Sequence, residues 1–462
     1  MTNLFGKKLT SQNQVALINE NESISYRELI KQSDKIKKEI ESNSIVLLIA
    51  DNSSAFVVGY VAFLSKEKTI NILVDNSFSD EFIVKIIKSY KPNYIYVSKT
   101  KKYFEKKYKN ILDYDSYIVF KTSFFIHKEL NFKNFLLLST SGTTQSPKFV
   151  RLSQENLEDN TLKIANHLNI KKNHTTITTM PMGYSYGLSI LNTHLFKGAK
   201  IVLNKSTILE KIFWEKIIKH NVNSFGGVPE FYEFLKRIDF QKNLYTSIKY
   251  LTQAGGKLQE ETLKYFGNIC KKKKIKFYVM YGQTEASPRM SLLNWKMFFK
   301  KINSIGKPLK GYKMNLVSKN KKLIKKNNQE GEIVFRGKNV SLGYAKSLKD
   351  LRIGDLNKKI LYTGDIAYRD NDNYYYITGR KKRFIKLFGK RFDLKEIEIF
   401  LLSHGIKVRC NLNDSKLTLN LYNNFQKMQF IKDLLHRHLR INQNYILIKK
   451  KIIKKLLNIF NQ

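Results

Sequence analysis

The sequence predicts an α/β protein with a parallel sheet, because short apolar segments alternate with helix-forming ones. The runs 45–50, 69–74 and 94–97 have the length and residue types of buried strands. Helix-forming sequence lies between them. Strands that alternate with helices are typical of a parallel sheet covered by helices. The chain of 462 residues is also long enough to bury a large core.

Capping residues and apolar runs predict where the helices and strands lie along the chain. A predicted helix runs from Ser25 to Ile40, and Asn52–Ser54 caps the next. Another helix covers 82–89, and Ser153 is the predicted N-cap of a further one. Further strands are predicted at 135–138, 177–180, 277–280, 331–337 and 374–378, with another beginning at Tyr250.

The formal net charge of the chain is +45. Such a charge by itself indicates nucleic acid or an anionic membrane as a partner. The excess is Lys rather than Arg, however, and it is spread along a chain rich in Asn, Ile, Tyr and Phe and poor in Pro. AT-rich codon usage produces this composition, so we favour compositional bias over a nucleic-acid role.

The cysteines and the apolar segments indicate the cellular compartment in which we expect the protein. Cys270 and Cys410 lie far apart without Cys or His partners at ligand spacing, so the sequence implies no disulfide framework and no zinc site. The N-terminus lacks the apolar core of a signal peptide. Four polar residues at 51–54 interrupt the most apolar window, 45–64, so we expect no membrane span and a cytoplasmic protein.

A loop rich in small hydroxyl residues follows the strand at 135–138. Its residues are Ser139, Thr140, Ser141, Gly142, Thr143 and Thr144, followed by Pro147 and Lys148. The backbone N–H groups of such a loop can converge on a polyphosphate, to which the hydroxyls add donors and Lys148 adds charge. The spacing is not that of a Walker loop. A surface turn is the alternative.

This loop resembles the phosphate loop of the adenylate-forming superfamily, which includes acyl- and aryl-CoA synthetases, peptide-synthetase adenylation domains and luciferases. Their pattern is Thr-Ser-Gly-Thr-Thr-Gly-x-Pro-Lys-Gly, which Thr140–Thr144, Pro147 and Lys148 match. Gln145 and Phe149 replace the two later glycines, and this restricts the freedom of the loop. The resemblance implies that ATP is bound here.

A second match follows the strand at 277–280. The segment Tyr281-Gly282-Gln283-Thr284-Glu285 is similar to the family's Tyr-Gly-x-Thr-Glu. The resemblance implies that Tyr281 contacts adenine, Thr284 contacts phosphate and Glu285 is a ligand of Mg²⁺. The family counterpart of Gly255 and Gly256 also packs against adenine.

Two later motifs complete the implied nucleotide site. Asp365 stands in a Thr-Gly-Asp motif whose carboxylate, in the family, accepts hydrogen bonds from the ribose hydroxyls. Residues 379–391 resemble the family's hinge, Gly-Arg-x-x-x-x-Ile-Lys-x-x-Gly-x-Arg. This implies that Arg380 meets the ribose and that Lys382 is the hinge. A Gly-Asp turn and a basic strand are the respective alternatives.

Two segments resemble the acid pocket of the family. Met182–Gly187 occupy the place of a Pro-x-x-His-x-x-Gly pattern, with Tyr184 at the His. In amino-acid-activating relatives, an Asp near this point pairs with the ammonium group of the substrate, and Ser185 is the nearest equivalent position here. Ser185 carries no charge, and a buried ammonium without a carboxylate partner is costly. An α-amino acid is therefore a less favoured substrate. Gly226 and Gly227 resemble the step that lines the acyl pocket. Core packing and a tight turn are the alternatives.

The resemblance divides the chain into an adenylation domain, 1–378, and a small mobile α+β domain, 379–462. Family members end near a Gly-Lys loop whose Lys acts in adenylation. Spacing favours Lys451 for this role, with Lys450 and Lys454 as rivals. A basic amphipathic end helix is the alternative.

These motifs imply activation of a carboxylic acid by ATP and Mg²⁺ to acyl-AMP, followed by transfer to a phosphopantetheine thiol. Because the sequence differs from amino-acid activators at the acid pocket, we expect a fatty, hydroxy or aryl acid as substrate. The thiol belongs to an acyl carrier protein or to CoA, and the basic chain favours an acidic carrier. A degenerate member that binds ATP without turnover and a basic nucleic-acid-binding protein are the alternative functions.

Overall fold

The structure is a computed structural model. It describes residues 13–20, 22–125, 129–139, 147–240, 247–381, 384–387, 390–413, 416–422 and 427–450. The described residues divide into two compact units, a large one up to Gly379 and a small one from Arg380 onward.

The helices lie in both units, and the first four of them begin after a serine whose hydroxyl caps the first turn. They are α1 (Tyr26–Lys38), α2 (Ser54–Leu64), α3 (Asp80–Tyr90), α4 (Gln154–His167), α5 (Ser185–Phe196), α6 (Lys211–Lys219), α7 (Pro229–Arg237), α8 (Glu260–Lys272), α9 (Leu394–Ser403) and α10 (Met428–Leu439). The Ser25 and Ser53 hydroxyls accept hydrogen bonds from the first turns of α1 and α2, and Ser153 forms a capping box with Asn156 at α4. The predicted caps are confirmed.

The strands of the large unit are short. In the first part of the chain they are β1 (Val15–Ile18), β2 (Ser23–Ser25), β3 (Ser44–Ala50), β4 (Thr69–Asp75), β5 (Tyr94–Ser98), β6 (Lys109–Tyr114), β7 (Tyr117–Lys121), β8 (Leu136–Ser139) and β9 (Phe149–Leu152). The middle part contains β10 (Thr175–Ile177), β11 (Lys200–Val202), β12 (Ser224–Gly227), β13 (Tyr250–Gln253), β14 (Lys276–Gly282), β15 (Arg289–Leu293) and β16 (Lys307–Pro308). The last part contains β17 (Lys313–Val317), β18 (Leu323–Ile324), β19 (Gly331–Arg336), β20 (Gly343–Ala345), β21 (Ile360–Arg369) and β22 (Tyr375–Arg380).

These strands form three sheets. The eight-stranded sheet has the order β20-β9-β8-β4-β3-β5-β7-β6 and is parallel from β8 to β5. The nine-stranded sheet has the order β16-β15-β14-β13-β12-β10-β11-β1-β2 and is parallel from β14 to β1. The five-stranded sheet has the order β18-β17-β19-β21-β22. The parallel sheets predicted from strand–helix alternation are therefore present, with antiparallel strands at their edges.

One predicted strand was displaced. The run 177–180 was expected to be a strand, but β10 covers Thr175–Ile177. The Thr179 hydroxyl donates to the carbonyl of Gly226, and Pro181 follows shortly after. Because a side chain replaces the ladder hydrogen bond there, the chain leaves the sheet before the predicted strand is complete.

The small unit is an α+β structure with its own core. It contains β23 (Phe384–Leu387), β24 (Lys390–Asp393), β25 (Val408–Asn413), β26 (Lys416–Leu421) and β27 (Ile446–Lys450). Strands β23 and β24 form an antiparallel hairpin, and β26 pairs with β25 antiparallel and with β27 parallel. Apolar side chains from α9, α10 and the three-stranded sheet are buried together.

Candidate functional site

The carboxyl ends of three neighbouring parallel strands bring several predicted site residues to one sheet edge. Strand β12 ends at Gly227, β13 is followed by Gly255 and Gly256, and β14 ends at Gly282. The three strands pair in parallel. Ligands in open α/β sheets bind outside such carboxyl ends, so this edge is the candidate site.

The turn after β14 depends on Gly282. A β-bulge falls between Tyr281 and Gly282 where β14 pairs with β15. A Cβ atom on Gly282 would lie 1.5 Å from the carbonyl oxygen of Pro288. Only glycine fits here, and the bulge turns the chain into the short 3-10 helix Thr284–Ala286.

Asp365 is held by two side chains from the β14 turn. The Tyr281 hydroxyl donates to Asp365 Oδ2 over 2.5 Å, and Gln283 Nε2 donates to the same oxygen over 2.7 Å. Gln283 also donates to the carbonyl of Thr363 over 3.0 Å. Asp365 is only 3% exposed. The predicted adenine and ribose residues therefore meet, and Gln283, the variable position of the motif, is a member of the site that the sequence did not reveal.

Thr284 links this turn to the segment predicted to line the acid pocket. Its hydroxyl lies 3.1 Å from the hydroxyl of Ser185, the first residue of α5. The positive end of a helix dipole therefore lies beside Thr284, and it favours negatively charged groups.

Glu285 and Lys148 are connected by Tyr344. The Glu285 side chain is buried, and its Oε1 accepts a hydrogen bond of 2.6 Å from the Tyr344 hydroxyl. Lys148 Nζ lies 3.7 Å from the centre of the Tyr344 ring, within the range of a cation–π interaction. Strand β20 carries Tyr344 beside β9, where it pairs with Val150. No motif pointed to Tyr344, because its role depends on that strand pairing.

Packing explains most of the predicted pocket residues. A Cβ on Gly226 would lie 2.6 Å from the Tyr186 hydroxyl, and one on Gly227 would lie 2.3 Å from the Phe231 ring. The glycines therefore make room for aromatic side chains of the protein itself. The ring of Tyr184 packs edge-on against Phe78.

Tyr184 is also a weak acid in this position. Burial, together with the nearby Asp75 carboxylate, raises the pKa of its phenol. The hydroxyl therefore remains protonated at neutral pH and is available as a donor.

The glycine turn after β13 packs closely against Val228 and Pro229, the residues that follow β12. Gly255 has φ +90°, a conformation that favours glycine. A Cβ on either Gly255 or Gly256 would lie 2.9 Å from Val228 or Pro229, respectively.

The remaining predicted site residues are placed as follows. Arg380 is the last residue of β22 and is half-buried. Thr140, Ser141, Gly142, Thr143, Thr144, Lys382 and Lys451 lie outside the described residues.

The described residues offer oxygen ligands for Mg²⁺ but no complete protein cage. No group of three or more His, Cys, Asp or Glu side chains in the described part of the chain is arranged to hold a metal. Mg²⁺ needs only one or two carboxylates when substrate phosphates and water supply the other ligands, so Glu285 with the Thr284 hydroxyl fits it. Among the described helices, none has the length and apolar character needed to cross a bilayer.

A comparison with known families agrees with this arrangement. The family model described as "AMP-binding enzyme" matches residues 8–345, more than half of the chain. This chain belongs to the AMP-binding enzyme family. The predicted superfamily is confirmed, and the β12–β15 edge lies within the matched region.

Curated relatives of this AMP-binding enzyme include acid–thiol ligases. Oxalate–CoA ligase of Saccharomyces cerevisiae is 29% identical over 272 residues, which are 58% of this chain and 49% of the relative. D-alanine–D-alanyl carrier protein ligase of Bacillus licheniformis is 25% identical over 418 residues, 84% of this chain and 80% of the relative. The match thus spans about half the length of oxalate–CoA ligase.

Solved structures confirm the α/β fold class. A double mutant of o-succinylbenzoate CoA synthetase from Bacillus subtilis, bound with a product analogue, gives a TM-score of 0.77 at 19% identity, with 99% of this chain and 97% of that chain covered. The same synthetase in complex with ATP and magnesium ion gives 0.69 at 18% identity, with 98% and 97% covered.

Proposed function

We propose that this AMP-binding enzyme is an acid–thiol ligase that consumes ATP and forms AMP. The observation that carries the proposal is the Asp365 carboxylate, oriented by Tyr281 and Gln283 beside the Thr284–Glu285 turn. The relatives support it, since their names state ligation of an acid to CoA or to a carrier protein.

In the proposed first step, a carboxylate oxygen of the acid attacks the α-phosphorus of ATP. The bond from that phosphorus to the bridging oxygen breaks, so pyrophosphate leaves and acyl-AMP forms. We assign the ribose hydroxyls to Asp365, the adenine to Tyr281, and the phosphates to Thr284 and Lys148. These residues position the reactants and neutralise charge, which is the main contribution a protein can make to such a transfer.

The same proposal gives Glu285 the role of metal ligand. Mg²⁺, when bound, neutralises phosphate charge. The hydroxyl-rich loop 140–144 would donate hydrogen bonds to the phosphates, and Lys451 would donate to the acid and the α-phosphate. Arg380 would donate a hydrogen bond to the ribose. Gly255 and Gly256 would lie against the adenine.

In the proposed second step, a phosphopantetheine thiol attacks the acyl carbon. The carbon–oxygen bond to AMP breaks, AMP leaves, and the thiol proton passes to solvent. The small domain would rotate about Lys382 between the two steps. A reducing compartment, the cytoplasm, suits the two free and buried cysteines, Cys270 and Cys410.

For the acceptor we favour an acidic carrier protein over free CoA. The formal charge of +45 would attract such a carrier and speed its encounter with the enzyme. Loading should then be faster on the carrier than on CoA at low ionic strength, and the advantage should shrink as salt is added. Equal rates on both thiols at all salt concentrations would contradict this choice.

The direct test is incubation of the protein with Mg-ATP and a panel of carboxylic acids, followed by mass spectrometry for acyl-AMP. An adduct that forms with the wild type and not with Glu285→Ala supports adenylation at this site. ATP binding without pyrophosphate release for any acid would favour the degenerate alternative. Salt-sensitive retention of RNA or DNA at submicromolar concentration would favour the nucleic-acid alternative.

A further inference from the structure

Arg289 carries a buried guanidinium beside Tyr186, the second residue of α5. It is the first residue of β15, lies opposite Gly282 at the bulge, and is 2% exposed. Among the described residues, its side chain makes one hydrogen bond, a weak one of 3.4 Å from Nη1 to the sulfur of Met280. Its Nε has no partner there, and no described carboxylate pairs with it.

Arg151 shows what this fold does with a structural arginine. It is also fully buried, but its two terminal nitrogens donate to the side chain of Asn134 and to four backbone carbonyls. Those carbonyls belong to Leu342, Asp350, Ile353 and Gly354. The terminal N–H donors of Arg151 are therefore used within the protein, whereas those of Arg289 make only the weak contact with sulfur among the described residues. The Nε of each arginine has no described partner.

Among the described residues, none that surrounds Arg289 supplies a negative charge. Its guanidinium carbon lies 5.0 Å from the centre of the Tyr186 ring. Nearby His194 is fully buried, and burial, with a smaller contribution from the Arg289 charge, lowers the pKa of its imidazole to about 4. A guanidinium remains charged in proteins, and a buried charge without a partner is costly. An anion that arrives with a ligand would remove this cost.

The position of Arg289 connects it to the reaction site. Tyr186 contacts the guanidinium with its ring, and its hydroxyl lies beside Gly226 and donates to the carbonyl of Thr252 over 3.0 Å. The residue before it, Ser185, contacts Thr284. Tyr186 therefore contacts both Arg289 and the Gly226 step, and the adjacent Ser185 contacts the proposed phosphate-binding residue Thr284.

We propose that Arg289 binds a second carboxylate on the acid, so that the substrate is a dicarboxylic acid of which one carboxylate is adenylated. The inference rests on the proposed adenylation. A guanidinium presents paired N–H donors that match the two oxygens of a carboxylate, which makes this group the best partner for the free donors. Arg289 is then a specificity-determining residue for the proposed reaction.

The test compares aliphatic and aryl dicarboxylic acids with their own monoamides, which have the same shape but no second charge. Pyrophosphate release gives kcat/KM for each acid. For the wild type we expect the preferred diacid to exceed its monoamide by about 100-fold or more, because a buried charge pair contributes on that scale. Arg289→Met should reduce this ratio to near 1, and Arg289→Lys should leave an intermediate ratio.

Arg151→Met is the matched control. It removes an equally buried arginine whose terminal donors are satisfied within the protein, so it should lower the melting temperature without changing the ratio between diacid and monoamide. If Arg289→Met does not fold, the ratio for Arg289→Lys still tests the proposal. A further readout is the melting temperature of the wild type with ATP, which the diacid should raise more than its monoamide does.

The outcomes separate this inference from the proposed function. The role of Arg289 would be overturned if monocarboxylic acids were adenylated with the same kcat/KM as diacids. It would also be overturned if Arg289→Met kept the wild-type ratio of kcat/KM between diacid and monoamide. Either result would leave the ligase proposal intact. ATP binding without pyrophosphate release for every acid of both sets would overturn the ligase proposal, and the inference with it.

Discussion

Tyr344 donates a hydrogen bond from its hydroxyl to Oε1 of the buried Glu285 over 2.6 Å. The same ring lies 3.7 Å below the ammonium of Lys148. One aromatic side chain therefore contacts both the proposed metal ligand and a proposed phosphate-binding lysine. Because β20 pairs with β9, the position of Tyr344 is set by the sheet and not by a loop alone.

Tyr344→Phe should weaken the use of Mg²⁺ while keeping the ring beneath Lys148. The lost hydroxyl no longer orients Glu285, and a hydrogen bond to a charged group contributes about 1.5–3 kcal/mol. We expect the Mg²⁺ concentration for half-maximal pyrophosphate release to rise about 10-fold or more. A magnesium titration of wild type and variant measures it. An unchanged or lower requirement would mean that Tyr344 does not orient Glu285 for the metal.

Glu285→Ala and Lys148→Ala should each reduce acyl-AMP formation about 100-fold. The first removes the proposed ligand of Mg²⁺, and the second removes a cation proposed to neutralise the phosphates. Mass spectrometry of acyl-AMP and a pyrophosphate assay provide the measurement. Lys346→Ala is a suitable control, because Lys346 is exposed and directly follows β20. Wild-type rates in both site variants would show that the phosphates bind elsewhere.

Local signals in the sequence predicted a large part of this fold. The caps at Ser25, Ser53 and Ser153 and the buried strands β3, β4 and β14 depend on neighbouring residues only, and the structure contains them. The glycine turn after β13 and the Tyr281–Glu285 motif after β14 lie at one edge of the nine-stranded sheet, because the carboxyl ends of parallel strands meet there.

Features that depend on pairing between distant segments were not predicted. Tyr344 and Glu285 are 59 positions apart and meet through the backbone contact from Ser341 to Glu285 and the pairing of β20. Arg289 is an ordinary charged residue in the sequence. Its isolation from carboxylates follows from the packing of Tyr186 and Met280 around it, which no local pattern encodes.

Asp365→Ala should weaken ATP binding. The substitution removes the acceptor for the Tyr281 and Gln283 side chains as well as the proposed acceptor for the ribose. Hydrogen bonds to a charged group contribute about 1.5–3 kcal/mol, so we expect the Kd for ATP to rise roughly 10- to 100-fold. Calorimetric titration measures the Kd.

The matched comparison for Asp365→Ala is Tyr281→Phe, which keeps an aromatic ring for adenine and removes only the donor to Asp365. A rise of a few fold in Kd is expected, and the double variant should show less than the sum of the two free-energy changes because the residues share one interaction. Additive effects would mean that Tyr281 does not act through Asp365.

His194 should make the protein less stable as the pH falls below neutrality. Its Nδ1 lies 2.8 Å from the carbonyl of Ile190, which can only accept, so Nδ1 donates and Nε2 accepts from the Tyr250 hydroxyl at 3.2 Å. Burial lowers the pKa of this neutral imidazole from 6.5 to about 4. Between these values the unfolded chain binds a proton that the folded protein does not, so acidification favours unfolding, by up to about 1.4 kcal/mol per pH unit.

His194→Gln removes this titration and should therefore flatten the decline of stability between pH 6.5 and 4, even if the variant is less stable at neutral pH. Thermal or denaturant unfolding across this range measures the slope. His404→Gln is the matched control, because it makes the same substitution at an exposed histidine of the small unit. If the slope of His194→Gln equals that of the wild type, His194 is not the group that couples folding to proton binding in this window.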